Sequence, residues 1–429
     1  MLAQQPVRAS GPALPLPEPF QSKAVKVLFD ASRELNVIAY NERDVNKKLD
    51  AYSKFEFSDA LKPRLLEVFG TDHPLTVERL PAPKGQNNYV SRLPAHSYRE
   101  SDNLDIEWAE FVGNVNTNAA GNRMNFTGTW PSLTVNGKAG KFAVADVAMG
   151  SEQVRGADGI WYGPVTVTIA SVTAPVEGNN SIRMEDVRMK SELIQRGKSA
   201  DLHYGFSVNA MTFGAERVER LNTAFRVINM PGQAMEKLKR DMAKSVNAKL
   251  TPAEQHSMNL EKMKAFGKAL FKGGVSVMID DISAAYRGNV ASLKGRIDFL
   301  KMTDKESAAP DGFMKKILLH VDVRVPLAML SDVSHAVAAR SVKADAPDAQ
   351  KQIDSSAKGF VDLAVGKLVG GGYAKLEEGE LRSAIDLKSG KLTFNGKALE
   401  TAPRRVPAGT KPVQQPAPVT APKPVPADN

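Results

Sequence analysis

Cysteine is absent from the 429 residues, which excludes disulfides, thiolate nucleophiles, zinc ribbons and cysteine-ligated iron–sulfur clusters. Histidine is scarce: the six, at 73, 96, 203, 256, 320 and 335, are far apart, and no two share the i, i+4 spacing that sets two ligands on one helical face. No metal or cofactor is expected from such a set. No apolar run approaches the roughly 18 residues of a membrane-spanning helix, and no G-x-S-x-G elbow or Gly-rich phosphate cradle ahead of a helix is present. Blocks of five like charges and basic motifs interleaved with aromatics are also missing. The excess of 57 basic over 48 acidic residues is therefore too dispersed to predict a nucleic-acid partner, although it suits an anionic membrane surface.

What remains is a chain of ordinary globular composition, 42% apolar and 24% charged, long enough to bury a substantial core. Its 26 prolines are unevenly placed: five lie within residues 1–19 and eight within 403–426. Residues 1–19 are predicted to be a Pro-rich spacer and 401–429 a disordered Pro-rich tail. The opening has the character of a spacer behind a membrane anchor, so an upstream apolar segment is expected.

Between the tails the hydrophobic period changes several times. Ala24, Val27, Leu28, Ala31 and Leu35, and then Leu61, Leu65, Leu66 and Phe69, recur at helical spacing, and residues 20–95 are read as a helical N-terminal part closed by Pro74, Pro81, Pro83 and Pro94. From 96 the period is two: Leu202, Tyr204, Phe206 and Val208 alternate with polar residues. Gly121-Asn122, Asn136-Gly137 and Gly178-Asn179-Asn180 mark tight turns and so antiparallel pairing. At Ala145-Asp146, Ala170-Ser171, Glu185-Asp186 and Asp280-Asp281 the apolar phase slips by one, which predicts either β-bulges or strands ending in turns. Helical spacing at Leu221, Ala224, Phe225 and Ile228, and again through Met235–Phe271, predicts a helical insert at 216–272. Strict alternation at Leu319, Val321, Val323, Val325 and Leu327 predicts a strand, and Ile353, Ala357, Phe360, Val361, Ala364 and Leu368 a helix over 350–368 ending at Gly370-Gly371-Gly372. A last hairpin turns at Lys388-Ser389-Gly390-Lys391.

The whole reads as an α+β protein: a large curved, mainly antiparallel sheet with packed helices, residues 96–400 forming one β-rich domain. Val165, Val167, Ile169, Leu202, Tyr204, Phe206, Val321, Val323 and Val325 are the candidate residues of an apolar sheet face. Asp280-Asp281 is a poor catalytic pair, because strand neighbours point to opposite faces. Lys262, Lys264, Lys268 and Lys272 around the Leu260–Phe271 stripe suit either an anionic lipid surface or a helix packed on the sheet.

Several segments resemble one family. Asp105-Ile106-Glu107-Trp108 followed by Phe111-Val112-Gly113, the Gly-x-Trp-Pro-x-Leu run at 128–133, Gly159-Ile160-Trp161-Tyr162-Gly163, Leu327, Gly372-Tyr373 and the stretch Gly390–Lys397 are similar to the YdgA-like bacterial envelope proteins, domain of unknown function 945. The resemblance implies periplasmic or inner-membrane-anchored location in Gram-negative bacteria and no assigned enzymatic activity. These are packing and turn motifs, so no catalytic residue is carried over. The expectation is a non-enzymatic envelope protein that binds lipid or a protein partner along its apolar concave sheet. The alternative is a glycan or lipid hydrolase with a dispersed Asp/Glu/His site.

Overall fold

The computed structural model describes residues 22–42, 44–176, 180–246, 252–342 and 347–398; the two Pro-rich ends, and the turn at Gly178-Asn179, lie outside them. Three helices come first, α1 (Lys23–Asn41), α2 (Val45–Tyr52) and α3 (Lys62–Phe69). Each begins and ends for a local reason. The Ser22 hydroxyl accepts from the Val25 amide and the Asp44 carboxylate from Asn46 and Lys47, while Gly70, at φ 70°, closes α3 in left-handed backbone.

Strands follow: β1 (Thr76–Leu80), β2 (Gln86–Leu93), β3 (His96–Ser101), β4 (Leu104–Trp108), β5 (Phe111–Asn118), β6 (Arg123–Gly137), β7 (Gly140–Arg155), β8 (Trp161–Val176), β9 (Asn180–Arg196), β10 (Ser199–Phe213) and β11 (Glu216–Pro231). Then come α4 (Gly232–Val246), α5 (Pro252–Gly273), β12 (Ser276–Tyr286), β13 (Asn289–Phe299), α6 (Asp304–Ala308), α7 (Pro310–Lys315), β14 (Ile317–Pro326), α8 (Leu327–Ser341) and α9 (Ala349–Gly370). The chain closes with β15 (Lys375–Glu377), β16 (Glu380–Lys388), β17 (Lys391–Phe394) and β18 (Lys397–Ala398).

Among the described residues all 18 strands belong to one antiparallel sheet, so the protein is α+β. The ladder runs β1, β2, β5, β6 and then strand by strand in chain order to β14, followed by β16. The β3–β4 hairpin joins β6 end to end with β5, and β15 and β17 share the outer edge of β16.

Two helical readings are corrected. Residues 216–231 are strand β11, paired with β10 on one side and β12 on the other; only 232 onward is helical. Leu221, Phe225 and Val227 satisfy period two as well as Leu221, Ala224, Phe225 and Ile228 satisfy period 3.6, and pairing on both edges decides the matter. The segment 20–95 is likewise not all helical, since β1 and β2 begin at Thr76 and β2 pairs with β5 in the main sheet; Pro74, Pro81, Pro83 and Pro94 bound strands there. Leu327 opens α8 and does not extend β14, a helix whose nearly all-round small apolar sequence gives little periodic signal. The helix at 350–368 is present as α9, and the Gly371 and Gly372 amides donate to Lys367 and Val369 at its end.

The phase slips resolve into two kinds. At Asp280-Asp281 the register shifts between Ile279 and Ile282, a bulge against β13. At the other three sites nothing shifts. Trp130 pairs with Val147 and Ser132 with Ala145; Val147 with Ile169 and Ala145 with Ser171; Ile169 with Val187 and Ser171 with Glu185; Val187 with Val208 and Glu185 with Ala210. Pro131, Asp146, Ala170, Asp186 and Asn209 thus fall on one transverse line where the ladder is interrupted in every strand, and register survives because all slip together. Trp130 below the line, and Leu133 and Val135 above it, pack against the same core. The three-residue step keeps the apolar side chains on one face.

That core joins Ala24, Val27 and Ala31 of α1 and Leu65 and Val68 of α3 to Ile106 and Trp108 of β4. A second cluster, Tyr162, Ala200 and Met230 with Leu193, Leu202 and Val227, lies under Met235 of α4 and Leu270 of α5.

Candidate functional site

Cross-strand register assigns the nine candidate residues to a single face. Val165, Val167 and Ile169 of β8 stand opposite Ser191, Met189 and Val187 of β9. Ser191, Met189 and Leu193 stand opposite Tyr204, Phe206 and Leu202 of β10. Tyr204 and Leu202 then meet Phe225 and Val227 of β11, which meet Ile279 and Val277 of β12. Val277 and Ile279 meet Ile297 and Gly295 of β13; Gly295 and Leu293 meet Val321 and Val323 of β14; and Val325 of β14 meets Leu381 of β16. Residues directly opposite across a ladder share a face, so one apolar field crosses from β8 to β16. On β8 and β9 the intervening Thr166, Thr168, Arg188 and Lys190 are exposed, which is the alternation of a one-sided sheet.

Val321 is buried, and the other eight are half-buried. The helices explain the pattern. α4 and α5 cover the field at the β8–β11 ends through Met235 and Leu270, and Phe271 of α5 stacks on Phe299 at 4.4 Å. At the other end of the sheet, α1 and α3 cover Trp130. Among the described residues the closest helix–sheet backbone approaches fall on β1, β3, β11 and the strands beyond. The central field around Val167, Met189 and Phe206 lies between these helical covers and is half-buried. Close approach to the backbone is built in: Gly113 and Gly128 form a cross-strand pair, and the rings of Phe111 and Phe126 lie over them, within 3.3 Å of where their Cβ atoms would be.

Sequence alternation found Val165 to Ile169, Leu202 to Phe206 and Val321 to Val325. It missed Phe225, read as helix, and Met189 and Ile297, whose membership follows from pairing alone.

The ionisable groups are dispersed. His320 bonds Asp386 through Nδ1 at 2.8 Å and Asp322 through Nε2 at 3.1 Å, beside a shallow depression of about 730 Å3. The hydrogen bond to Asp386, more than the charge of Asp322, raises the imidazole above its usual range. With both nitrogens held by carboxylates, the ring is a charge partner and has no free nitrogen to take a proton from a hydroxyl. His73 is held in the same way, between Asp72 and Glu56. Asp280 accepts from Nε and Nη2 of Arg226, which lower its pKa, and Asp281 accepts from Ser283; the two carboxylates serve separate partners. Among the described residues no group of three His, Asp or Glu side chains is arranged to hold a metal ion, and no helix is long and apolar enough to cross a membrane.

A family model described as "Bacterial protein of unknown function (DUF945)" matches residues 50–402. No curated protein and no solved structure matches.

Proposed function

The chain belongs to the DUF945 family of bacterial proteins of unknown function, and from that premise we propose a non-enzymatic envelope protein that seats an acyl chain on the apolar face of its sheet. The observation that carries this reading is the half-buried apolar stretch of β8–β10 between the two sets of helices, lined by Val167, Met189 and Phe206. Half-buried apolar surface of this extent favours an apolar occupant. Each methylene it shelters contributes about 0.8 kcal/mol, so some ten methylenes offset an association cost in the range of about 4–15 kcal/mol. Exposed Val337, Phe360 and Leu363 on α8 and α9 add apolar surface outside the sheet, which suits a membrane or protein neighbour. Envelope location is supported by the family resemblance and is tested by fractionating cells that express the full chain.

The deciding experiment is native mass spectrometry and lipid extraction of the purified protein. A co-purifying acyl lipid that is lost in Phe206→Glu and Val167→Glu, with thermal stability retained, supports the reading. Lipid-free protein that also fails to take up a fluorescent fatty acid overturns it.

A further inference from the structure

Where the two sets of covering helices meet, a recess of about 420 Å3 opens between α1, α2, the β7–β8 turn and α4. Its walls bring four cations together from three separate parts of the chain: Lys48 of α2, Arg155 at the end of β7, and Lys239 and Arg240 of α4. Three carboxylates share the recess, one fewer than the cations. Asp158 accepts from the Tyr162 hydroxyl and the Ile160 amide, Glu236 is bonded to Arg240 at 3.3 Å, and Glu42 accepts from the Asp44 amide. Lys48 donates to the Ala39 carbonyl at 2.7 Å, and Lys239 donates to the Gly159 carbonyl. The turn is shaped for convergence. Gly159, at φ 74°, has no side chain, and a Cβ there would sit 3.5 Å from Arg155 Nη2 and 3.6 Å from Lys239 Nζ.

We propose that this recess binds a phosphate-class anion, either free or carried as the headgroup of a lipid. Four cations against three carboxylates leave half-buried Lys48 and Arg155 beside exposed Lys239 and Arg240, an excess of positive charge that a multivalent oxyanion relieves by accepting several charge-assisted hydrogen bonds at once. The state of Lys48 fits. Burial, and then the like charges of Lys239 and Arg155, push its ammonium below the ordinary lysine range. A volume of this size lies within the range of small-molecule sites, and Trp161 in the wall offers an apolar surface beside the charges. The site stands independently of the acyl-chain reading, since its charges lie off the apolar sheet face.

Titration calorimetry of the full chain at low ionic strength, with inorganic phosphate and separately with phosphatidylglycerol or phosphatidylcholine vesicles, tests it. Binding of phosphate identifies a free-anion site; binding of phosphatidylglycerol vesicles alone identifies a headgroup site. In either case Lys48→Ala and Arg155→Ala weaken binding about ten- to hundredfold, the loss expected for a hydrogen bond to a charged group, while Lys190→Ala on the exposed outer surface does not. Arg240→Ala, at an exposed helical position, serves as the variant least able to disturb folding. The proposal is overturned if neither phosphate nor phosphatidylglycerol binds, or if well-folded variants bind as tightly as the wild type.

Discussion

Asp146 and Asp186, two strands apart on the same transverse line of the sheet, both adopt left-handed backbone, at φ 51° and 50°. With Arg220 of β11, at φ 49°, they mark the odd-numbered strands β7, β9 and β11, while Pro131, Ala170 and Asn209 occupy the line in the strands between. Aspartate is one of the few residues with a side chain that tolerates this conformation.

Replacing either aspartate should therefore separate conformation from charge. Asp146→Gly is expected to leave stability within about 1 kcal/mol of the parent, and Asp146→Val to lower it by about 1–3 kcal/mol, because a β-branched residue is strained at positive φ. Urea unfolding of the two variants checks this; equal midpoints would mean that the line does not need left-handed backbone.

Gly295 lies on the apolar face, opposite Val321 of β14. A Cβ there would meet the His320 carbonyl oxygen at 2.4 Å and the Val321 Cα at 2.9 Å, and neither is a flexible side-chain tip. Gly295→Ala should cost about 1–3 kcal/mol, the usual range for overpacking. The same substitution at Gly205, which has open space around its Cβ position, should be nearly neutral. Thermal melts of the pair provide the comparison.

Tyr89 is 1% exposed and donates its hydroxyl to Asp50 Oδ1 at 2.8 Å. Burial first, and then the bond to Asp50, push its phenol up to about 12. Tyr89→Phe should remove about 1–2 kcal/mol by deleting the hydrogen bond from a buried hydroxyl to a charged carboxylate. The raised pKa means that this stabilisation is complete below about pH 10 and is lost as pH rises through the folded value. Parent and variant stabilities should accordingly converge between pH 10 and 12.

His320 gives a second pH signature. Its pKa is raised, first by the bond to Asp386, so the attraction is fully present below the unfolded value of about 6.5 and is lost as pH rises through the higher folded one. Because the side chain is 54% exposed, solvent screening keeps its contribution to stability small. The measurement is therefore an NMR titration of the ring: the parent midpoint should lie above 6.5, and Asp386→Asn should bring it down.

The strand face was legible in the sequence wherever one side chain in two was apolar and its neighbour polar, as at Leu202 to Val208 and at Leu319 to Val325. The pattern failed at β11, where Leu221, Ala224, Phe225 and Ile228 fit a helix by spacing while their real partners are on β10 and β12. The slips were visible, but their register-neutral character was not, because it depends on Asp146, Ala170 and Asp186 being opposite one another. The cation recess was out of reach for a related reason. Lys48, Arg155 and Lys239 are separated by about a hundred residues each, and nothing local marks them as neighbours. The contact of His320 with Asp386, 66 residues away, belongs to the same class of information.

From β6 to β13 each strand is bonded to the one before and the one after it in the chain. Such a sheet is close to a one-dimensional array, in which each element depends on its nearest neighbours. Mechanically it is a zipper with two ends. Tension on the chain peels one hairpin at a time from a free edge, and does not have to shear many ladders together. The same connectivity lets a chain threaded through a narrow opening rebuild its sheet in the order in which the strands emerge.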